Sequence, residues 1–526
     1  MPPSKPELAP EPPQDAPRVH QAPKRSAFGS LLSRTLPQYS GPFPVGVCDV
    51  EIPVEPQTFG SFRHKSMPDA PAGLALETVM FTLFYPAEAP KHPVPAVWFP
   101  KLRQTIDGFL KMAKRTPNIW YKMVGYPVAA AAIYGSTFPA TKDAPLASPP
   151  PEIGKWPLML FSHGVGCSRL MYSAFCGEMA SRGYVVACVE HRDGTSPSST
   201  VVAEDGSKKR FDWLEWSDLE WPEIPKDKQP TDDTTLRHEQ IKFRVAEFEA
   251  VVDTMNKLAR GEKLNWYSIT APDFDWSRFK MVDPSRPVGA GHSLGGSAVL
   301  AASSANKIPF SCIIAFDPAV QRLAPWKAPL PHPLLVVNSE EFVVGEEYRI
   351  FSGQMAGTTE DSLQVFSIGG ATHPSFSDVF LILPDYINRL TGLKVSADKV
   401  IQRTVGAVED FLGLHPSHTT KLDADNRSFD DGEHATRTMA TGGGVPSADA
   451  AGVISPTMEE IGATGPGEGK KGEGQGAGAA RKAGVGKVRY DRVYETAGRE
   501  EKAGEKLSRP IAKPGELVKH PLPASS

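Results

Sequence analysis

The run Pro287-Val-Gly-Ala-Gly-His-Ser-Leu-Gly-Gly-Ser-Ala-Val-Leu300 constrains this chain more than any other stretch. Apolar residues lead into Gly291-His292-Ser293-Leu294-Gly295, and a helical pattern of small residues follows. A G-x-S-x-G between a strand and a helix is the nucleophile-elbow pattern. The turn is tight, so only small residues fit two places before and after the serine, which accounts for Gly291 and Gly295. It lifts the Ser293 hydroxyl above a sheet and points the positive end of the next helix at its target. A Gly-rich turn that merely contains a serine is the simpler alternative, and the strand–turn–helix context favours the elbow.

Around this stretch, strand and helix signals alternate. Strands are expected at Gly41–Pro53, Leu76–Tyr85, Pro157–Phe161, Tyr184–Glu190, Ser311–Phe316, Pro333–Val337 and Leu363–Ile368. Helices are expected near 168–182, 235–260 and 399–412. This order predicts an α/β fold: a mostly parallel sheet with an antiparallel opening, covered by helices on both faces. In such sheets the chemistry gathers at the carboxyl ends of the strands.

The expected domain runs from 41 to 415, with insertions at 92–150 and 195–235. Residues 1–40 are rich in Pro and Ser, and 416–526 in Gly, Ala, Lys and Glu. Both are expected to lack fixed structure, because they offer too little apolar surface to offset their ordering entropy. The 92–150 insertion interleaves Trp98, Phe109, Trp120 and Tyr126 with Lys101, Arg103, Lys111 and Lys122. It reads either as a helical element packed on the core, or as a cap that touches a lipid interface.

Composition narrows the function. A formal net charge of -4 gives no reason to expect nucleic acid. Five cysteines without metal-site spacing suit reduced thiols in a cytoplasmic protein. The start lacks a secretory signal, Pro2 stands where myristoylation needs Gly, and no apolar run is long enough to span a membrane. No metal or other cofactor is expected.

A serine hydroxyl needs a base, and the base needs an acid to hold it. With the order Ser, acid, His, His373 is the candidate base, since it follows the Leu363–Ile368 strand through Gly369-Gly-Ala-Thr372. The acid stays open between Asp317, at the end of the strand after the elbow, and Glu340 or Glu341, one strand later. An oxyanion hole requires two backbone N–H groups. Leu294 supplies one, and Val165 in Ser162-His-Gly-Val-Gly166 is placed to supply the other.

Several segments together resemble the platelet-activating factor acetylhydrolase family, the plasma and type II branch of group VII phospholipases A2. They are Phe161-Ser-His-Gly-Val-Gly166, Ala187-Cys-Val-Glu-His-Arg-Asp193, Arg237-His-Glu-Gln240, Gly291-His-Ser-Leu-Gly-Gly296, Asn338-Ser-Glu340 and the His373 loop, with Gly41-Pro-Phe-Pro-Val-Gly46 at the start. The resemblance implies an α/β-hydrolase fold and calcium-independent removal of short or oxidised sn-2 acyl groups from phospholipids. It implies Ser293 as nucleophile, His373 as base, and Val165 and Leu294 as oxyanion donors. It also tips the acid to Asp317. A phospholipid substrate and a peripheral lipid contact follow as expected partners. The alternatives are a general carboxylesterase or polyester hydrolase, or a scaffold without activity.

Overall fold

Strands Trp156–Ser162, Val185–Glu190 and Cys312–Phe316 are buried along their whole length. Such strands need cover on both faces, and the computed structural model supplies it. It describes residues 26–67, 69–114, 127, 133–265, 274–323, 330–359, 361–414, 436–438 and 512–520.

Among the described residues, twelve strands form the main sheet: β1 Val45–Phe59, β2 Leu74–Pro86, β3 Pro95–Val97, β4 Thr137–Lys142, β5 Trp156–Ser162, β6 Val185–Glu190, β7 Val282–His292, β8 Cys312–Phe316, β9 Leu334–Ser339, β10 Leu363–Ile368, β11 Thr436–Thr438 and β12 Leu517–Lys519. Their order across the sheet is β11-β12-β10-β9-β8-β7-β5-β6-β2-β1-β4-β3. The block from β10 to β6 is parallel throughout. β1 and β2 pair antiparallel to each other, and β2 runs antiparallel to β6.

The period-two rule divides the core. Met159 and Phe161 face one apolar cluster, together with Phe175 and Met179 of helix α2 (Ser173–Ser181) and Val400, Val405 and Val408 of the last helix. Leu158 and Leu160 face the other, with Val245, Phe248 and Val251 of the long helix Thr234–Arg260 and Ala298 and Val299 of the helix after Ser293. These helices are labelled in chain order: α1 Leu102–Met112, α2, α3 Thr234–Arg260, α4 Leu294–Ser304 and α5 Ala397–Leu414.

Described residues reach into both expected tails. Residues 26–40 are not a free tail: Leu36 is buried, its N–H donates to the Thr137 carbonyl, and Tyr39 bonds the Ser173 carbonyl. One buried Leu and one buried Tyr are enough to anchor so short a segment. At the other end, 512–520 joins the sheet as β12. Residues 436–438 form β11 beside it, and the remaining expected tail residues lie outside the described residues. The 92–150 insertion contributes α1, the edge strand β3 and its inner neighbour β4; Gln104 of α1 bonds Ser198 and the Ser199 carbonyl. Trp120 and Tyr126 lie outside the described residues. The 195–235 insertion is more ordered than its polar text suggests, with a hairpin Ser198–Val202 and Lys208–Asp212 and buried Trp213 and Trp221.

Candidate active site

The elbow has the geometry its sequence implied. Ser293 holds φ 55° and ψ -124° between β7 and α4. This left-handed-side conformation costs a non-glycine residue about 1–3 kcal/mol, which the surroundings must offset. The Ser293 N–H donates to the Phe316 carbonyl at the end of β8 (2.9 Å). A Cβ on Gly291 would strike the Gly295 carbonyl, and one on Gly295 would strike the Ser162 carbonyl.

His373 Nδ1 lies 3.1 Å from Asp317 Oδ2. Asp317 leaves β8 at φ 41°, is fully buried, and accepts two further bonds at 2.7 Å, from the Ser339 N–H and the Ser339 hydroxyl at the end of β9. Burial alone would lower the His373 pKa. The Asp317 hydrogen bond and charge, helped by Glu341 and Glu347, outweigh it and raise that pKa above the ordinary histidine value.

Glu340 and Glu341, the other acid candidates, do different work. Glu341 accepts the backbone N–H of His373 (2.9 Å), and Glu340 accepts that of Gly370 (2.5 Å). They clamp the loop, while Asp317 meets the ring. Among the described residues, no hydrogen bond joins Ser293 Oγ to the His373 imidazole. His292, the residue before Ser293, has its ring centroid 4.6 Å from that of His373.

Leu294 follows Ser293 directly, and Val165 follows Gly164 in the loop after β5. A Cβ on Gly164 would meet the Ser293 Cβ at 3.1 Å, so the β5 loop passes directly over the elbow. Leu294 opens α4. Among the described hydrogen bonds, neither the Val165 nor the Leu294 N–H has a protein acceptor.

A buried network that sequence reasoning missed holds that loop. Arg244 of α3 is fully buried and donates to the His163 carbonyl (2.7 Å), Asp193 (2.8 Å) and Thr195 (2.7 Å). His191 bridges Ser162 (2.7 Å) and Glu247 (2.5 Å). Burial pushes the Glu247 carboxyl pKa up and the His191 imidazole pKa down. The signal was readable: Gln240, Arg244, Glu247 and Val251 recur at helical spacing on one inward stripe of α3. Charges on such a stripe must be paired.

Tyr172 ties the loop to the elbow. Its hydroxyl accepts the Gly164 N–H (3.2 Å) and reaches His292 Nδ1 (2.7 Å). Among the described residues, His292, Asp317 and His373 form the one group with metal-ligand spacing, within 4.8 Å of one another. One nitrogen of each ring already has a protein partner.

A parallel sheet sandwiched between helices, with a serine turn at its carboxyl edge, defines an α/β-hydrolase. Residues 28–432 match the family described as platelet-activating factor acetylhydrolase, isoform II, and the chain belongs to that family. It is 31% identical to platelet-activating factor acetylhydrolase of Gallus gallus over 282 residues, 53% of this chain and 65% of that one. With the enzyme of that name from Canis lupus familiaris it shares 28% over 349 residues, 63% of this chain and 71% of the other. A ferulic acid esterase from Streptomyces cinnamoneus aligns with 72% of this chain and 92% of its own at 20% identity and a TM-score of 0.47.

Proposed function

We propose that the chain is a calcium-independent serine hydrolase that cleaves the sn-2 acetyl, short or oxidised acyl ester of phospholipids. The carrying observation is the buried Asp317 on His373 Nδ1, beside a serine held at φ 55°. Ser293 Oγ attacks the ester carbonyl as His373 Nε2 takes its proton, and Asp317 stabilises the imidazolium. The Val165 and Leu294 N–H groups hold the oxyanion, each worth roughly 3 kcal/mol in related chemistry. The tetrahedral species collapses, and the lysophospholipid leaves with the proton from His373. Water, deprotonated by His373, then releases the acyl group from Ser293. No step calls on a metal or cofactor.

Family membership and the names of the relatives support the phospholipid substrate. Side chains around the amino-terminal segment support a peripheral lipid contact. Phe28, Leu32, Tyr134, Tyr386 and Leu390 are each more than half exposed. The segment joins the last three residues' neighbourhoods, since the Asp385 N–H bonds the Ala27 carbonyl and Arg34 bonds the Tyr134 carbonyl. Exposed apolar side chains gathered this way favour an interface. Among the described residues, no helix is long and apolar enough to cross a membrane. The five cysteines are free and buried, in keeping with the cytoplasmic setting we assign.

The test is a hydrolysis panel on phosphatidylcholines differing only in the sn-2 chain, beside simple soluble esters. Acetyl and short chains should turn over fastest, and faster still at a lipid surface. Preference for soluble esters with no interfacial gain would point to a general carboxylesterase. Ser293→Ala should cost at least about 10⁴-fold in kcat.

A further inference from the structure

Residues 512–520 bring the chain to the edge of β10, with β12 seated between β10 and β11. There, β12 adds itself antiparallel to β10, the strand that leads into the His373 loop, pairing Ile368 with Leu517, Ser367 with Val518 and Phe366 with Lys519. The contact is built on both sides. Val518 is fully buried and Ala512 nearly so. His520 donates its N–H to the Val365 carbonyl (2.9 Å), and its Nε2 lies 2.7 Å from the Ser367 hydroxyl. Helix α5 holds the segment from below, with Arg403 Nε on the Gly515 carbonyl (3.1 Å).

Two of these bonds reach past the strand into the loop itself. The Gly369 N–H donates to the Glu516 carbonyl (2.9 Å), and the Gly515 N–H donates back to the Gly369 carbonyl (2.7 Å). A Cβ on Gly369 would collide with the Lys513 carbonyl, so the two backbones touch where a side chain cannot fit. The loop 369–372 is thus gripped by residues 512–516 at its start, and by Glu340 and Glu341 at Gly370 and His373. Without β12, the β10 edge would present unpaired backbone groups, a surface that takes an extended peptide by strand addition. Residues in the same chain fill that role at high effective concentration.

We propose that the edge of β10 is a peptide-docking surface whose occupant is the chain's own segment 512–520, and that its docking positions the His373 loop. The positioning half rests on the reading of His373 as the base; the docking half does not. Segment 512–520 is a positioning element. It touches no reacting atom.

The test compares the full chain with a chain ending at residue 511. Truncation should lower kcat about tenfold or more with KM within about twofold, because a misplaced base slows chemistry more than binding. A synthetic peptide of residues 511–523 should restore the rate saturably. Should the shortened chain not fold, Val518→Asp in the full chain decides. It should lose kcat and speed hydrogen exchange at the Gly369 amide, while Val518→Ile keeps both near normal. Full kcat and unchanged Gly369 exchange in Val518→Asp would overturn the proposal. If the intact protein hydrolysed no ester, the hydrolase reading would fail instead, and docking would still be read from peptide binding to the shortened chain.

Discussion

Asp317 and Glu341 lie close to the same histidine, yet one meets the ring and the other the backbone. Their substitutions should therefore differ in kind. Asp317→Asn should cut kcat by about 10⁴-fold with the fold intact, since an amide favours the wrong imidazole tautomer. Glu341→Gln should cost much less, because an amide oxygen still accepts the His373 N–H; the pair is compared by kcat on a short-chain ester. The base must be neutral to act, and its pKa is raised above 6.5 chiefly by Asp317 against the pull of burial. So kcat/KM should fall as pH drops through a midpoint above 6.5, and Asp317→Asn should move that midpoint down. An unshifted acid limb would contradict the pairing. Ser293 and His373 were legible from motif and chain order. Asp317 was not, from position alone, because the choice depends on which carboxylate receives the ring, a fact of three dimensions. Resemblance supplied what spacing could not.

At the scale of elements, the carboxyl ends of β5, β7, β8, β9 and β10 all deliver site residues, and the packing behind them keeps those ends in register. Asp378 is the joint on one side. Fully buried, it accepts the Ser173 N–H (2.7 Å) and hydroxyl (2.6 Å), the Ala174 N–H (3.1 Å) and Trp98 Nε1 (3.2 Å). It thus pins the start of α2 to the turn after His373. Asp378→Ala should destabilise the fold by about 3 kcal/mol in urea unfolding, by stranding several buried donors. Burial raises its pKa to about 6 despite those bonds. The native state therefore holds this proton more tightly than the unfolded chain does. Its stabilising contribution is full below the unfolded value of 3.8 and declines as pH rises to about 6. Most of these elements were legible: the β10 limits match residue for residue, and α3 differs by one residue at its start. The hairpin at 198–212 was missed because its strands are largely polar and Ser199 alone among their residues is buried, so alternation carried no signal. Arg244 and Glu247 were passed over because an apolar-face reading skips the charges lying on that face.

Across the whole molecule, the sheet is one continuous body in which the amino-terminal segment and the carboxyl-terminal strand close opposite parts of the structure. Residues 26–40 lean on α2 and β4, and residues 512–520 on β10 and α5. Composition marked both ends as unstructured because a window average hides a few anchoring residues, Leu36 and Tyr39 at one end and Val518 at the other. Deleting residues 26–40 should therefore lower thermal stability measurably, by several degrees, rather than leave it unchanged; a melting curve decides. The account as a whole turns on one oxygen being reactive in the folded chain. The most direct measurement is to treat the protein with a fluorophosphonate and map the adduct by mass spectrometry. The account predicts one equivalent of label on Ser293, lost in Ser293→Ala and slowed in His373→Ala. A folded protein that takes up no label, or takes it on another serine, would contradict it.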